Sequence, residues 1–281
     1  MKFIKNNQDL ETYRAELEKS KCTIGFVPTM GALHGGHIAL LDQAKKECDI
    51  TVVSIFVNPM QFNNPDDLEK YPRRLDEDFE LLAENGCDYV FLPTKELIYP
   101  EDFKKVDIDI SHLDREMEGK YRPGHFIGVV NVIHQFFKLL NPQKAYFGKK
   151  DFQQVVVVKH LVEQLNSPVE IVPVETLREV NGLAMSSRNY RLSEEDKLKA
   201  GIIYESFKLG EKLAPQKSPD EVRNEMIDLI AKSDLKLEYL EIVDTNSMEF
   251  LENHWTNSAT ACIAAYCNGV RLIDNKEIYN K

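Results

Sequence analysis

The feature that most constrains this fold is the alternation of short apolar segments with longer amphipathic ones between residues 22 and 174. Segments such as ITVVSIFV, at residues 50–57, are apolar on both faces. A strand that is buried on both faces belongs inside a parallel sheet with helices on each side. We therefore predict a Rossmann-like, doubly wound α/β domain that binds its ligands at the carboxyl ends of the strands.

The predicted strands of this domain are CTIGFV (22–27), ITVVSIFV (50–57), DYVFLP (88–93), KAYF (144–147) and VEIVPV (169–174). The predicted helices cover about 36–47, 73–85, 125–140 and 151–165. This alternation of strands and helices is typical of βαβ units.

The pattern changes after residue 176, so we predict one domain over 1–176 and a smaller α+β domain over 177–281. The second domain is expected to contain a charged helix opened by the capping sequence SEED and a helix over about 219–231. Two segments, LKLEYLEIVD and TACIAAYCNGVRLID, are predicted as antiparallel strands because their apolar residues recur with a period of two.

Composition excludes several classes of protein. Acidic residues outnumber basic ones by 46 to 35, and the net charge of −11 disfavours a nucleic-acid partner. The charged N-terminal segment lacks a signal-peptide core, and no run of about 18 apolar residues occurs, so we expect a cytoplasmic protein without a membrane span. The five cysteines are scattered without a CxxC pair, which indicates buried thiols.

The stretch PTMGALHGGH, residues 28–37, follows the first core strand and opens a helix. The start of a helix presents free backbone N–H groups and a positive dipole end, which together favour an anion. Neither GxGxxG nor the P-loop motif is present. His34 and His37 are three apart, so both imidazoles can donate hydrogen bonds to a phosphate at this end of the helix.

Two other interpretations of this histidine pair stay open on the residues alone. Histidines near a helix start are often exposed or serve as caps. A metal pair is the weaker alternative, because no third ligand with familiar spacing is nearby.

Three further segments hold polar side chains where ligands are expected. Gln61, in SIFVNPMQF, offers a donor and an acceptor to a small polar acid, although a lone loop glutamine is usually exposed. FGKKDFQQ starts a second helix, with a lysine pair for phosphate and Asp151 as a structural N-cap. MSSRN, at residues 185–189, supplies hydroxyls and a guanidinium, although such turns are common.

Two weaker candidates complete the set. Arg122 could approach an acid or phosphates, whereas His125 in the same segment, YRPGHFIGVV, is expected to be structural. The acidic run LDEDFELL is expected to be a solvated helix face, with Asp78 as a weakly supported magnesium contact.

The strings VPTMGALHGGH, SIFVNPMQF, YFGKKDFQQ and GLAMSSRN, in this order, resemble the pantoate–β-alanine ligase family. This family belongs to the HxGH nucleotidyltransferases, which include the class I aminoacyl-tRNA synthetases. HxGH alone is moderately specific, whereas four strings in register over nearly the whole chain are strongly so. The resemblance implies adenylation of pantoate by magnesium-bound ATP, attack by β-alanine, and release of pantothenate and AMP.

The resemblance also implies a site. His37, His34, Lys150 and Arg188 are expected to stabilise the reacting phosphates, and Gln61 and Gln154 to bind pantoate. The implied ATP contacts are Met30, Gly31, Ala32, Leu33, His34, Gly35, Gly36, His37, Gly148, Lys149, Lys150, Asp151, Leu177, Met185, Ser186, Ser187 and Arg188. The second domain is expected to close over ATP, and the family relation suggests a homodimer. The role of Lys149 is open, because many relatives have glutamate there.

Two other functions remain as alternatives on the sequence. A nucleotidyltransferase acting on a phosphate-bearing acceptor would need extra basic residues, which the neutral NPMQF segment does not provide. A non-catalytic nucleotide-binding module would bind ATP without releasing pyrophosphate.

Overall fold

The computed structural model describes residues 1–281 and divides them into two compact units, Met1–Glu175 and Thr176–Lys281. The division lies at the boundary expected near residue 176.

The first unit is built on a parallel sheet of six strands in the order β1-β4-β3-β2-β5-β6. The strands are β1 (Lys2–Ile4), β2 (Ile24–Thr29), β3 (Ile50–Ile55), β4 (Tyr89–Phe91), β5 (Lys144–Gly148) and β6 (Glu170–Val174). The predicted doubly wound class is confirmed, with β1 as an additional edge strand.

Eight helices accompany this sheet: α1 (Asn7–Ser20), α2 (Gly35–Glu47), α3 (Pro65–Glu69), α4 (Leu75–Glu84), α5 (Lys95–Ile98), α6 (Glu118–Tyr121), α7 (His125–Leu140) and α8 (Phe152–Gln164). Two short 3-10 turns, Pro59–Gln61 and Lys149–Asp151, follow β3 and β5. The predicted helix over 125–140 has the observed bounds, whereas α1 was not predicted.

Two neighbouring residues of β2 show why this strand is apolar on both faces. Val27 belongs to one apolar core with Leu41 and Ala44 of α2. Phe26 points to the opposite face, where its ring meets Phe136 of α7 edge-on at 5.5 Å between centroids. Helices therefore cover both faces of the sheet, as its composition requires.

The strand order reverses between β2 and β5. The chain runs from β2 outward through β3 and β4, and then returns to place β5 and β6 on the other side of β2. A crevice forms at the carboxyl ends of the strands where the order of a parallel sheet reverses. The turns that follow β2 and β5 are therefore the expected place for a ligand.

The second unit combines α9 (Glu194–Ala200), α10 (Ile202–Leu213) and α11 (Pro219–Ala231) with an antiparallel sheet of β7 (Lys236–Asp244), β8 (Ser258–Cys267) and β9 (Val270–Asn280). The prediction of a single strand over 260–274 is wrong in one respect, since this segment forms a hairpin of two strands. Asn268 and Gly269 turn the chain with φ of 46° and 77°, as expected for an Asn-Gly hairpin loop.

No helix in either unit is both long and apolar enough to cross a membrane.

Candidate active site

The turn between β2 and α2 is held in an unusual backbone conformation. Gly31 and Ala32 have φ of 82° and 50°, in the left-handed region that disfavours residues with a Cβ. The carboxylate of Asp78, from α4, accepts the backbone N–H groups of Ala32 at 2.9 Å and Leu33 at 2.6 Å. A residue distant in the sequence thus stabilises the conformation of the turn.

His34 and His37 form a reciprocal cap at the start of α2. Nδ1 of His34, the N-cap residue, accepts the Gly36 N–H at 3.1 Å, and Nδ1 of His37 accepts the His34 N–H at 3.3 Å. The two rings lie 4.1 Å apart between centroids. Because a backbone N–H is always the donor, each neutral ring must carry its proton on Nε2.

Both imidazoles are neutral at neutral pH. Burial, with a smaller contribution from the positive charge of Lys150, lowers the pKa of His34 to about 4. Burial also lowers the pKa of His37 well below its usual value, and His34 and Lys150 add to this effect. The pair therefore offers neutral Nε2–H donors, and each ring serves as a cap and a donor at once.

The expected cradle of free backbone N–H groups needs correction. The N–H groups of Ala32, Leu33, Gly36 and His37 already bond to acceptors within the protein. The exposed Gly35 N–H has no such acceptor. Side-chain donors therefore provide more of the anion-binding capacity than the sequence suggested.

Lys150 reaches this histidine pair from the turn after β5. Its side chain is 17% exposed, and its Nζ lies 3.6 Å from Asp151 Oδ1. Its charge lowers the pKa of both His34 and His37, which places the ammonium within electrostatic reach of the two rings. The structure thus brings these three predicted residues together at the reversal between β2 and β5.

The other residues of the FGKKD turn differ from one another. Lys149 is exposed and pairs with Glu175. No atom lies within 4 Å of a Cβ placed on Gly148, so open space borders this residue. Asp151 occupies the N-cap position of α8, but its side chain makes no capping hydrogen bond, which corrects the expected structural role.

Gln61 is buried in a polar network, contrary to the exposed alternative. It is 8% exposed, and its Oε1 accepts the Asn58 side-chain amide at 3.1 Å. The Tyr99 hydroxyl donates to Asn58 Oδ1 at 2.8 Å, which fixes the orientation of that amide. The Nε2 of Gln61 faces Met30 Sδ at 3.1 Å. Asn58 and Tyr99 were not predicted as site residues.

His125 supports the backbone of this same turn. The side chain is 5% exposed, with Nδ1 at 2.9 Å from the Gln61 carbonyl and Nε2 at 3.2 Å from Arg122. Because a guanidinium only donates, Nε2 accepts and Nδ1–H donates to the carbonyl. Burial, and then the charge of Arg122, lower the pKa of His125 to about 3. His125 is thus structural, and Arg122 also pairs with Glu118 at 3.3 Å.

Gly128 of α7 packs directly against the 3-10 turn that ends in Gln61. A Cβ at residue 128 would lie 2.4 Å from the Met60 carbonyl oxygen and 2.5 Å from the Gln61 nitrogen. Only glycine fits there without moving the helix or the turn.

Gln154, on the first turn of α8, is partly buried. Its neighbour Gln153 is buried and has a structural task, since it accepts the Glu118 N–H and donates to the carbonyls of Leu113 and Glu116. The two adjacent glutamines of FGKKDFQQ are therefore not equivalent.

The MSSRN residues occupy an ordered loop of the second unit. Ser186 Oγ accepts the Arg188 N–H at 3.3 Å and caps a 3-10 turn over Ser187–Arg191. Ser187 is buried, and the Leu177 carbonyl accepts the Met185 N–H at 3.0 Å. All five predicted residues of this unit thus lie on one structured segment.

Asp78, the residue expected to contact magnesium, is not placed to bind a metal ion. No group of three or more His, Cys, Asp or Glu side chains is arranged to hold a metal ion. Asp78 is 2% exposed, and both of its oxygens accept backbone N–H groups. A magnesium contact needs an accessible carboxylate oxygen, so this geometry contradicts the expected role of Asp78.

Comparisons with known proteins identify the family of the whole chain. The family profile of pantoate-beta-alanine ligase matches residues 2–277. The pantothenate synthetase of Porphyromonas gingivalis is 46% identical over 98% of both chains, and that of Cytophaga hutchinsonii is 46% identical over 95% of this chain and 96% of its own.

Solved structures give the same result. The pantothenate synthetase of Thermus thermophilus superposes with a TM-score of 0.92 at 40% identity, covering 99% of this chain and all of its own. The Francisella tularensis pantoate-beta-alanine ligase, complexed with beta-gamma ATP and beta-alanine, has a TM-score of 0.80 at 35% identity over 99% and 98% of the two chains. The chain therefore belongs to the pantoate–β-alanine ligase family.

Proposed function

We propose that this chain carries out the reaction of its family, the ATP-dependent joining of pantoate to β-alanine, at the carboxyl ends of β2, β3 and β5. The observation that carries the proposal is the pair of neutral imidazoles of His34 and His37, with protons on Nε2, beside Lys150. These donors suit an anion whose charge grows during the reaction.

The first step activates the acid. A carboxylate does not acylate an amine at neutral pH, so one oxygen must first become part of a leaving group. The pantoate carboxylate attacks the α-phosphorus of ATP in line, forms an oxygen–phosphorus bond and expels pyrophosphate. Because the carboxylate is already ionised, this step needs no general base.

The imidazoles and Lys150 then act by position and charge. Hydrogen bonds from Nε2–H of His34 and His37 strengthen as negative charge builds on the phosphate oxygens, and the Lys150 ammonium opposes the same charge. Magnesium enters as part of the substrate MgATP in this proposal, consistent with the lack of a fitting resident metal site.

The second step transfers the acyl group. The neutral amine of β-alanine attacks the carbonyl carbon of pantoyl adenylate, the carbon–oxygen bond to AMP breaks, and the nitrogen loses a proton. The products are pantothenate and AMP.

Recognition of the acid falls to Gln61 and Gln154. Asn58 donates to Gln61 Oε1, so the Gln61 amide group points its Nε2–H atoms toward Met30 Sδ. Thioether sulfur is a weak acceptor. A hydroxyl or carboxylate oxygen of pantoate is a better acceptor for this amide, and it can replace the sulfur with little loss of free energy.

The remaining roles rest on the family relation. Ser186, Ser187 and Arg188 bind the triphosphate, and Leu177 and Met185 contact the nucleotide. The Francisella tularensis ligase is complexed with beta-gamma ATP and beta-alanine, which supports ATP and β-alanine as ligands of this chain. A cytoplasmic homodimer without a nucleic-acid partner completes the proposal, supported by the family relation and, for nucleic acid, by the net charge of −11.

A single-turnover experiment tests the order of chemistry. Enzyme mixed with MgATP and pantoate, without β-alanine, should release pyrophosphate in an amount close to that of active sites. Added β-alanine should then yield pantothenate and AMP, with oxygen label from the pantoate carboxylate in the AMP.

Two outcomes would refute the proposal. Formation of ADP and inorganic phosphate would show that an acyl phosphate is the activated species. AMP that contains no carboxylate oxygen would exclude the adenylate.

A further inference from the structure

We propose that Asp78 is a positioning residue for the adenylation step: its carboxylate holds the backbone turn that carries His34 and His37, rather than a metal ion. The inference rests on the proposed function for its effect on the rate, while its structural part can be measured without any substrate.

Asp78 reaches the β2–α2 turn from a distant part of the chain and is buried there. The residue lies in the first turn of α4, 45 residues from Leu33 and 46 from Ala32. Its two oxygens accept two consecutive N–H groups of the β2–α2 turn, at 2.9 and 2.6 Å. The side chain is 2% exposed, so little water competes for these bonds.

The turn that Asp78 holds has a strained backbone. Gly31 and Ala32 have positive φ, and for a residue with a Cβ this conformation persists only when its surroundings stabilise it. The turn also packs closely on the carboxylate, since a Cβ at residue 31 would lie 2.9 Å from Asp78 Oδ2. The two charge-assisted hydrogen bonds from Asp78 favour this conformation.

The turn leads directly into the residues that carry the two imidazoles. Leu33, which Asp78 holds, is followed directly by His34, whose backbone N–H donates to His37 Nδ1 at 3.3 Å. His34 Nδ1 in turn accepts the Gly36 N–H. A shift of the Leu33 backbone therefore moves both rings. It also weakens the backbone hydrogen bonds to the two Nδ1 atoms, which keep the ring protons on Nε2.

A carboxylate is the group this position requires. Two parallel N–H donors need two acceptor oxygens, and an amide side chain supplies one oxygen and one NH2 group. In an Asp78→Asn variant, one backbone N–H would therefore face another donor. Burial raises the pKa of Asp78, and the N–H groups of Leu33 and Ala32 oppose that rise by favouring the charged form.

The test compares Asp78→Asn with Glu77→Gln. Glu77 is the preceding residue of α4, is exposed and pairs with Arg74, so its variant removes the same charge without touching the turn. We expect Asp78→Asn to slow single-turnover pyrophosphate release by about 10- to 100-fold, because small misplacements of catalytic groups have effects of this order. Glu77→Gln should stay within about twofold of wild type.

A magnesium titration separates positioning from metal binding. If Asp78 positions the turn, the magnesium concentration for half-maximal rate should be within about twofold of wild type in the Asp78→Asn variant, and excess magnesium should not restore the rate. A large shift in that midpoint with rescue at high magnesium would overturn the proposal. So would pyrophosphate release at the wild-type rate.

Two measurements on the free enzyme do not depend on the reaction. In wild type, the Ala32 and Leu33 amide protons should exchange with solvent much more slowly than that of the exposed Gly35; equal rates would show that the carboxylate does not hold them. Nitrogen NMR should find the Nε2–H tautomer of His34 and His37 in wild type and a mixture in Asp78→Asn, and retention of the pure tautomer in a folded variant would contradict the proposal.

These measurements distinguish a failure of the proposed function from a failure of the Asp78 proposal. A wild-type enzyme that releases no pyrophosphate refutes the proposed function, while slow exchange at Ala32 and Leu33 still supports the hold on the turn. If Asp78→Asn does not fold, the exchange measurement on wild type decides the structural part.

Discussion

Replacement of His34 by asparagine should separate the two tasks of its imidazole. His34 Nδ1 caps α2 through the Gly36 N–H at 3.1 Å, while Nε2–H is assigned to phosphate. Asparagine is among the best N-cap residues, and its Oδ1 can take the place of Nδ1. His34→Asn therefore keeps the cap and removes Nε2–H, leaving only the shorter side-chain amide as a donor, whereas His34→Ala removes both the cap and the donor.

The expected magnitudes differ for the two measurements. Loss of one donor to developing charge weakens transition-state stabilisation by about 2 to 4 kcal/mol, which is about 30- to 1,000-fold in rate. Loss of the cap lowers the free energy of unfolding by about 1 kcal/mol. Both variants should release pyrophosphate slowly, and only His34→Ala should also lose stability.

The assay pairs single-turnover pyrophosphate release with urea unfolding of the same preparations. An asparagine variant that works within threefold of the wild-type rate would show that His34 is only a cap. The same variant with a large loss of stability would show that the imidazole is needed for packing, and the reasoning about its Nε2–H would lose its support.

Three further predictions follow from the same contacts. Lys150→Ala should slow pyrophosphate release by about 30- to 1,000-fold, and Lys149→Ala, which breaks an exposed pair with Glu175, should have a much smaller effect; equal losses would indicate a general charge effect. Tyr99→Phe removes the hydroxyl that orients Asn58 and should weaken pantoate use by about 1 kcal/mol while leaving the KM for ATP unchanged; a change in the KM for ATP alone would contradict this. Because burial lowers the pKa of His125 to about 3, the unfolded chain binds a proton there below about pH 6.5 that the folded protein does not. The free energy of unfolding should therefore fall as pH decreases from about 6.5 toward 3. His125→Gln should make this fall shallower by up to about 1.4 kcal/mol per pH unit. If urea unfolding gives the same slope for wild type and variant, groups other than His125 cause the pH dependence.

The sequence predicted those parts of the fold that are encoded locally. Short apolar runs located the strands β2 to β6, and the capping sequence SEED located α9, where Ser193 forms a capping box. The hairpin of β8 and β9 carried an available signal, since Asn268 and Gly269 are a known loop pair. The short strand β1 has too few residues to show a period.

The site was predictable where the contributing residues lie next to strand ends. His34, His37 and Lys150 follow β2 and β5, so topology alone brings them together. The contact of Asp78 with Leu33 spans 45 residues and depends on how α4 packs, which no local pattern records. The same is true of Tyr99, whose bond to Asn58 crosses 41 residues.

The close approach of α7 to the turn before Gln61 has a consequence for changing the acid that this enzyme accepts. With Gly128 against the Met60 carbonyl, the turn cannot shift toward α7 to make room for a different acid unless the whole helix moves. Selection for a bulkier substrate therefore depends on side-chain replacements rather than on movement of this turn toward α7. A library that includes residue 128 would lose most of its members to misplaced turns, whereas one that varies Gln154 leaves that backbone intact.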